Sequence, residues 1–382
     1  MFRTARSERP VSFMKYLLLL FFVQIPSAFA QLQTDAASQQ LVVQAMEKLY
    51  NHEFAEAQPL VTRLRTRYPQ HPVVPLLQAV QTYWQFFPLS DHPTAAKQYT
   101  ALLNQCLDRG QNLLGAGGRE AEASFFLLAA HGYLAMQQSD AGEFLKAVGE
   151  ARRAYGFLKK GFGWTGEYPE YLFTTGLYNY YRVQYPENHP IVKPVMFFFK
   201  DGNKKLGLQQ MEAGFRQGSF TRYEAAYYLL YVLLKHENQP GRALAFTSAL
   251  HGKFPANPLF LTRHAEALTL TGRYAEAEPL VERLLPLKGR VYPTAGATLA
   301  GLIREKRDKN DAAATVLYQR ALRAPEGERY SQDYLGMAWL GLGRIALRAG
   351  NRARARECFQ KALKVAEYDA TLAEARRWLR ES

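Results

Sequence analysis

The chain has 382 residues, with 48 Lys+Arg against 34 Asp+Glu and a formal net charge of +14 at pH 7. Its length suffices for a large core, in one extended array or two subdomains. Its two cysteines, Cys106 and Cys358, lie 252 residues apart, and a pair so spaced says little about disulfides, whose frameworks come from several cysteines at close spacing. Cys358, three residues after Ala355 in a helical pattern, reads as a buried free thiol.

Arg3, Arg6, Arg9 and Lys15 precede the apolar run "LLLLFFV", Leu17 to Val23, and "QIPSAFA" follows it, ending Ala28-Phe29-Ala30. This is the pattern of a signal peptide over residues 1–30, cleaved after Ala30. The run falls short of the roughly 20 residues of a membrane-spanning helix. Met14 opens a shorter, complete version of the same pattern and is an alternative start. No cysteine lies near the cleavage site, so the expectation is a periplasmic protein rather than a lipoprotein, with secretion as the alternative. An exported basic protein points away from nucleic acid and toward acidic proteins, anionic polysaccharide or a lipid headgroup surface.

The segment "FAEAQPLVTRLRTRYPQHP" is the first with a readable period. Its Ala57 and Pro69 align with Ala243 and Pro255, each proline twelve residues after its alanine, and both segments end on aromatic-Pro-x-x-Pro, which stops one helix and starts the next. From about residue 72 to 223 the period is obscured, but long amphipathic runs such as "AGEFLKAVGEARRAYGFLKK" predict further helix pairs. Asp140 with Glu143, and Thr221 with Glu224, have capping-box spacing at expected helix starts.

Aromatic side chains concentrate between Tyr155 and Tyr231. In "GLYNYYRVQYPENHP", Tyr178, Tyr181 and Tyr185 fall on one helical face and Tyr180 on another. Core packing is the favoured reading of these rings. A ligand-facing groove is the alternative, with Trp164, Tyr168, Tyr171 and Tyr178 as its candidate residues. "VMFFF", Val195 to Phe199, follows two prolines and is expected to plug the superhelix, the alternative being an exposed patch for a partner or membrane.

Ala243 and Ala277 lie 34 residues apart, and each follows a Gly-Arg dipeptide. Ala277, Leu280, Val281 and Leu284 occupy one helical face. "AAATVLYQRAL" repeats the small-x3-aromatic-x2-Ala spacing with Ala314, Tyr318 and Ala321. Near the C-terminus, "WLGLGRIALRAGNRARARECFQKAL" puts Trp339, Leu342 and Gly343 on one helix and Ala355, Phe359 and Ala362 on the next. These residues resemble the W-x2-L-G then A-x3-F pattern of the tetratricopeptide repeat (TPR), departing from it at Ala346, where an aromatic is usual, and in lacking a closing proline. Five repeats are legible, at about 38–71, 224–257, 258–291, 295–328 and 336–369. Residues 176–260 also resemble the fungal inclusion-body-clearance TPR family and its bacterial relatives, on Gly202, Gly207, Leu208, Ala225 and Ala226. That resemblance implies more helical repeat and no catalytic residue.

The expected fold is therefore all-α, a TPR-type α-solenoid, with an N-terminal helical region over 31–220 and a C-terminal array over 221–382. No catalytic, cofactor or metal site is expected. "GFGWTG", Gly161 to Gly166, matches a dinucleotide-binding glycine pattern without the preceding strand that pattern needs. "HEFAE" lacks the second histidine of a zinc-protease helix, and the histidines are scattered. The function expected is an exported scaffold that holds a protein or acidic peptide in its superhelical groove. Arg344, Arg348, Arg352, Arg376 and Arg377 are the candidate carboxylate-binding residues. Glycan or small-ligand binding in the aromatic region is the alternative, and membrane-surface contact through Phe197 to Phe199 a third reading.

Overall fold

The computed structural model describes residue 32 and residues 35–117, 119–188, 193, 199–323 and 330–381. The signal peptide expected over 1–30 and all of "VMFFF" except Phe199 lie outside the described residues. Among those described, seventeen α-helices and no strand are found. They form eight consecutive pairs: α1 Ala36–Tyr50 with α2 Phe54–Arg67, α3 Val73–Gln85 with α4 Pro93–Gly115, α5 Glu120–Asp140 with α6 Phe144–Trp164, α7 Glu170–Asn188 with α8 Lys204–Gln217, α9 Arg222–Lys235 with α10 Pro240–Lys253, α11 Pro258–Leu270 with α12 Tyr274–Leu284, α13 Val291–Lys306 with α14 Asp311–Ala321, and α15 Gln332–Arg348 with α16 Arg352–Val365. A single helix, α17 Asp369–Glu381, closes the array. The five legible repeats coincide with the first pair and the last four, and the obscured region holds three pairs.

The turns inside six pairs share one device. Gly142, Gly272 and Gly350 take positive φ (76°, 77° and 74°), and His52, Asn238 and Lys309 adopt the same left-handed geometry. At each glycine the next backbone N–H reaches back to close the helix, as Arg273 does to the Leu268 carbonyl at 2.9 Å. The Gly-Arg dipeptide at Gly272 is such a turn, whereas Gly241 lies inside α10 and Asn238 makes the turn instead.

Small residues set the helix spacing. Ala57, Ala243, Ala277, Ala355 and Ala362 are fully buried, Leu342 is nearly so, and a Cβ on Gly343 would stand 2.3 Å from the Phe359 ring. Gly301 has the same relation to Tyr318, at 2.6 Å. Half-buried Trp339 touches both the main core and a smaller one formed with α16 and α17, with the Lys361 ammonium 4.4 Å from its ring centre. The fold is a TPR-type α-solenoid.

The superhelix closes on itself. Tyr50, at the end of α1, packs on Trp84 of α3, Tyr223 of α9 and Phe260 of α11, and its carbonyl accepts a bond from Asn257 at 2.8 Å. Glu47 takes a hydrogen bond from the Tyr223 hydroxyl at 2.6 Å and pairs with Lys253 at 3.0 Å. Farther along, Phe87 stacks edge-on to Tyr330, whose hydroxyl donates to Asp140. First helices of the pairs thus meet across the axis, with these aromatics packed between them; the main core runs from Leu32 to Tyr368.

Both capping-box readings are corrected here. Asp140 is the last residue of α5, not the cap of α6. Thr221 does precede α9 but makes no side-chain cap bond there, because its hydroxyl donates to buried Glu170 at 2.8 Å. Glu170 also receives the backbone N–H groups of Ser219, Phe220 and Thr221. The start of α7 therefore caps the start of α9, and Glu224 is left for another role.

Candidate functional site: an apolar pocket at the joint of the two halves

α1, α3 and α5 on one side, and α7 and the start of α9 on the other, enclose a pocket of about 380 Å³. That volume sits at the small end of the roughly 300–1,000 Å³ typical of small-molecule sites. Hydrocarbon makes most of the wall: Val42 and Met46 from α1, Leu76, Leu77 and Val80 from α3, Phe125, Leu128 and Met136 from α5, Phe173 and Leu177 from α7. The helices arrive there for reasons already given. Tyr50 locks α1 to α9, Glu170 ties α7 to α9, and α7 is drawn tight against α8 by glycines on both.

That last contact explains the tyrosine cluster. A Cβ on Gly176 would lie 2.9 Å from the Gly207 carbonyl oxygen, and one on Gly207 only 2.7 Å from the Gly176 oxygen and the Tyr180 nitrogen. Backbone thus meets backbone at the crossing of α7 and α8. Tyr180 is fully buried beside it, with its hydroxyl donating to Glu237 at 2.6 Å. Tyr178 and Tyr181 turn to the pocket, while Tyr185 at the end of α7 is 46% exposed. The face expected to carry Tyr178, Tyr181 and Tyr185 together therefore divides between pocket and solvent, and Tyr180 holds the deepest position.

Of the four aromatic candidates, only Tyr178 lines the pocket. Its ring stacks on Tyr155 at 5.4 Å, and its hydroxyl donates to the Lys200 carbonyl. Tyr171 is fully buried, donates to the Ala121 carbonyl at 2.8 Å and fills the space beside Gly161. Half-buried Trp164 packs on Tyr171 at 5.5 Å, and half-buried Tyr168 packs on the core nearby. These two do not join Tyr178 in one surface.

The arginine candidates divide as well. Arg344 is buried, gives two hydrogen bonds to Glu305 (2.8 and 2.6 Å) and one to Glu374 at 3.1 Å, and so is committed inside the fold. Arg348 is spent on Asp311 and Glu305. Arg352, Arg376 and Arg377 are exposed, the last lying 4.8 Å over the Trp378 ring. Of the five candidates, Arg344 and Arg348 already have carboxylate partners within the fold.

Sequence reasoning missed Glu224, the one charged side chain among the described residues of the pocket wall. One carboxylate oxygen accepts from the hydroxyls of Tyr50 and, at 3.3 Å, Tyr133. The other is buried with no hydrogen-bond partner. Burial pushes the carboxyl up to about 7, partly offset by Tyr50, by the backbone N–H of Glu224 itself and by Tyr133, and the Glu170 charge adds to the rise. With the ordinary value at 4.5, the folded state holds the extra proton between the two values, so stability declines as pH rises from 4.5 through about 7. The available signal was a lone acid in the apolar run "YEAAYYLLYVLL", read as a capping residue instead. Gly132, mid-helix in α5, lines the same pocket and has open space where its Cβ would stand.

Among the described residues no His, Cys, Asp and Glu cluster is placed to hold a metal ion, and no helix is long and apolar enough to cross a membrane. Cys106 and Cys358 are buried free thiols.

No protein-family model matches the chain, and no curated protein matches it. Among solved structures, the C-terminal part of a TPR repeat-containing protein from Cytophaga hutchinsonii aligns at 13% identity and TM-score 0.30, over 88% of this chain and 99% of that one. Yeast Tom70 aligns at 12% identity and TM-score 0.38, over 92% of this chain and 83% of its own. A human IFIT1 dimer with PPP-AAAA aligns at 13% identity and TM-score 0.38, over 81% and 68% respectively. At these values none of the three bears on what this chain binds.

Proposed function

We propose that this chain is an exported, periplasmic TPR-type binding protein, non-catalytic, that holds a small apolar ligand between its N-terminal pairs and the α7–α9 joint. The observation that carries this reading is the 380 Å³ pocket with its hydrocarbon wall. A ligand that covers this apolar wall would remove it from water, and that burial is favourable. It is the small-ligand alternative of the sequence reading, with a different set of residues.

The test is titration with the neutral apolar fluorophore N-phenyl-1-naphthylamine. The protein is expected to bind one equivalent, with enhanced emission. Gly132→Phe should abolish that binding with the helical circular dichroism intact, since Gly is a poor mid-helix residue and the new ring enters open space. Unchanged binding by the Phe variant would remove the pocket from consideration.

A second reading, a protein-interaction scaffold, is favoured by a separate feature. Phe144, Leu145 and Val148 at the start of α6 are 68%, 91% and 66% exposed, an apolar patch beside the basic side chain of Lys146. Such a patch suits an apolar partner segment, since Lys146 is already paired with Glu143 at 2.9 Å.

A further inference from the structure

The pocket has chemical polarity that its volume alone does not convey. Its wall is mostly hydrocarbon, with the hydroxyl-bearing Thr174, Tyr178 and Tyr181 on α7, and at one end Glu224 sits between the main pocket and a smaller cavity of about 50 Å³ ringed by Tyr50, Tyr133 and Phe260. Among the described residues no basic side chain lines either space. In a chain of net charge +14, the one charge that the described residues offer to a ligand there is a carboxylate. One of its oxygens is satisfied by two hydroxyl donors and the other is not. A buried carboxylate oxygen without a donor is a costly group, and a ligand donor that reached it would recover that cost. An anionic head would meet the opposite, a like charge in a poorly solvated wall.

We propose that the pocket takes an amphipathic molecule with an apolar body of roughly a dozen carbon-sized groups and a hydrogen-bond-donating head, preferentially a primary amine, that bonds the free oxygen of Glu224. The inference rests on the ligand-pocket reading above and adds the class of ligand. It also sets an order of affinity: amine, then alcohol, then carboxylate. The order is opposite to what a basic protein surface would select, because unspecific adsorption to such a surface favours the anionic amphiphile.

The groups that face Glu224 are the hydroxyls of Tyr50 on α1, Tyr133 on α5 and Tyr228 on α9, and the carboxylate of Glu170 on α7. Burial holds all three tyrosines above their ordinary range, so they stay neutral. Glu224 is therefore the group whose ionisation tracks amine affinity, which rises as pH goes from 5.5 to 8, as its value of about 7 is passed.

The experiment is displacement of bound N-phenyl-1-naphthylamine by dodecylamine, 1-dodecanol and dodecanoic acid, each below its micelle concentration, with the wild type, Glu224→Gln and Gly132→Phe. The wild type at pH 8 is expected to bind dodecylamine about tenfold or more tightly than dodecanoic acid, the scale of one charge-assisted hydrogen bond. Glu224→Gln should bring the amine to the level of the alcohol and flatten its pH profile while still binding the fluorophore. If the acid competes as well as the amine, or the Gln variant keeps the amine preference, the head-group assignment is overturned and the pocket reading stands. If the fluorophore binds neither wild type nor Gln variant, or binds Gly132→Phe as well, the pocket reading fails and this inference with it.

Discussion

Replacing Glu305 by alanine is expected to destabilise the C-terminal pairs by about 3–5 kcal/mol, the usual cost of leaving a buried charge without its partner. Glu305 is 3% exposed and gathers two bonds from Arg344, one from Arg348 and one from the Tyr318 hydroxyl at 2.7 Å. Burial works to raise its carboxyl, but the hydrogen bonds and charge of Arg344 outweigh burial and hold it down at about 2. A depressed carboxylate contributes stability above its ordinary value of 4.5 that is lost as pH falls toward 2, so the wild type should lose this contribution in that window and Glu305→Ala should have none to lose. Replacing both partners, Glu305→Leu with Arg344→Met, should recover most of the loss, because a buried ion pair is worth little more than a well-packed apolar pair. Solenoids unfold in parts, so the measurement is hydrogen–deuterium exchange resolved over α13 to α16. Equal exchange in the single variant and wild type at pH 7 would show that the pair contributes nothing to stability.

Gly207→Ala is the second large effect expected. The added methyl would press on the Gly176 oxygen and the Tyr180 nitrogen, both at 2.7 Å and both backbone, so no side chain can rotate away. Overpacking of this kind costs about 1–3 kcal/mol and sometimes more. Gly252→Ala, on α10 with nothing near its Cβ, is the control and should gain about 0.5–1 kcal/mol instead. Because α7 carries Tyr178 and Tyr181 into the pocket wall, Gly207→Ala should also weaken fluorophore binding. Thermal midpoints of the two variants that moved together, in either direction, would refute the crossing as the cause. The resemblance of 176–260 to a repeat family on Gly207 thus has a packing reason, and it carries no chemistry of its own.

The repeats themselves were legible because their signals are local. Ala277, Leu280, Val281 and Leu284 share a face by helical geometry alone, and Gly272 turns the chain by its own freedom at positive φ. The middle pairs were hidden for a physical reason as well. α5 is buried on most sides, from Ala121 through Leu134, so its apolar residues do not fall on a single stripe that a period could reveal. Arg344 and Arg352 look alike in "GRIALRAGNRARAREC", and one is buried beneath Glu305 while the other faces solvent.

By itself, then, the sequence determined the all-α class, the helix pairs at the two ends and the period that stacks them, since each depends on residues three, four or about thirty-four apart. Tertiary structure alone decided which arginines keep a free donor, which tyrosine sits deepest and where a ligand has room. Those outcomes depend on superhelix closure, which brings Tyr50 to Glu224 across 174 residues of chain and places an acid from an apolar helix in the wall of an apolar pocket. Burial there, and not the residue type, gives Glu224 its raised affinity for a proton.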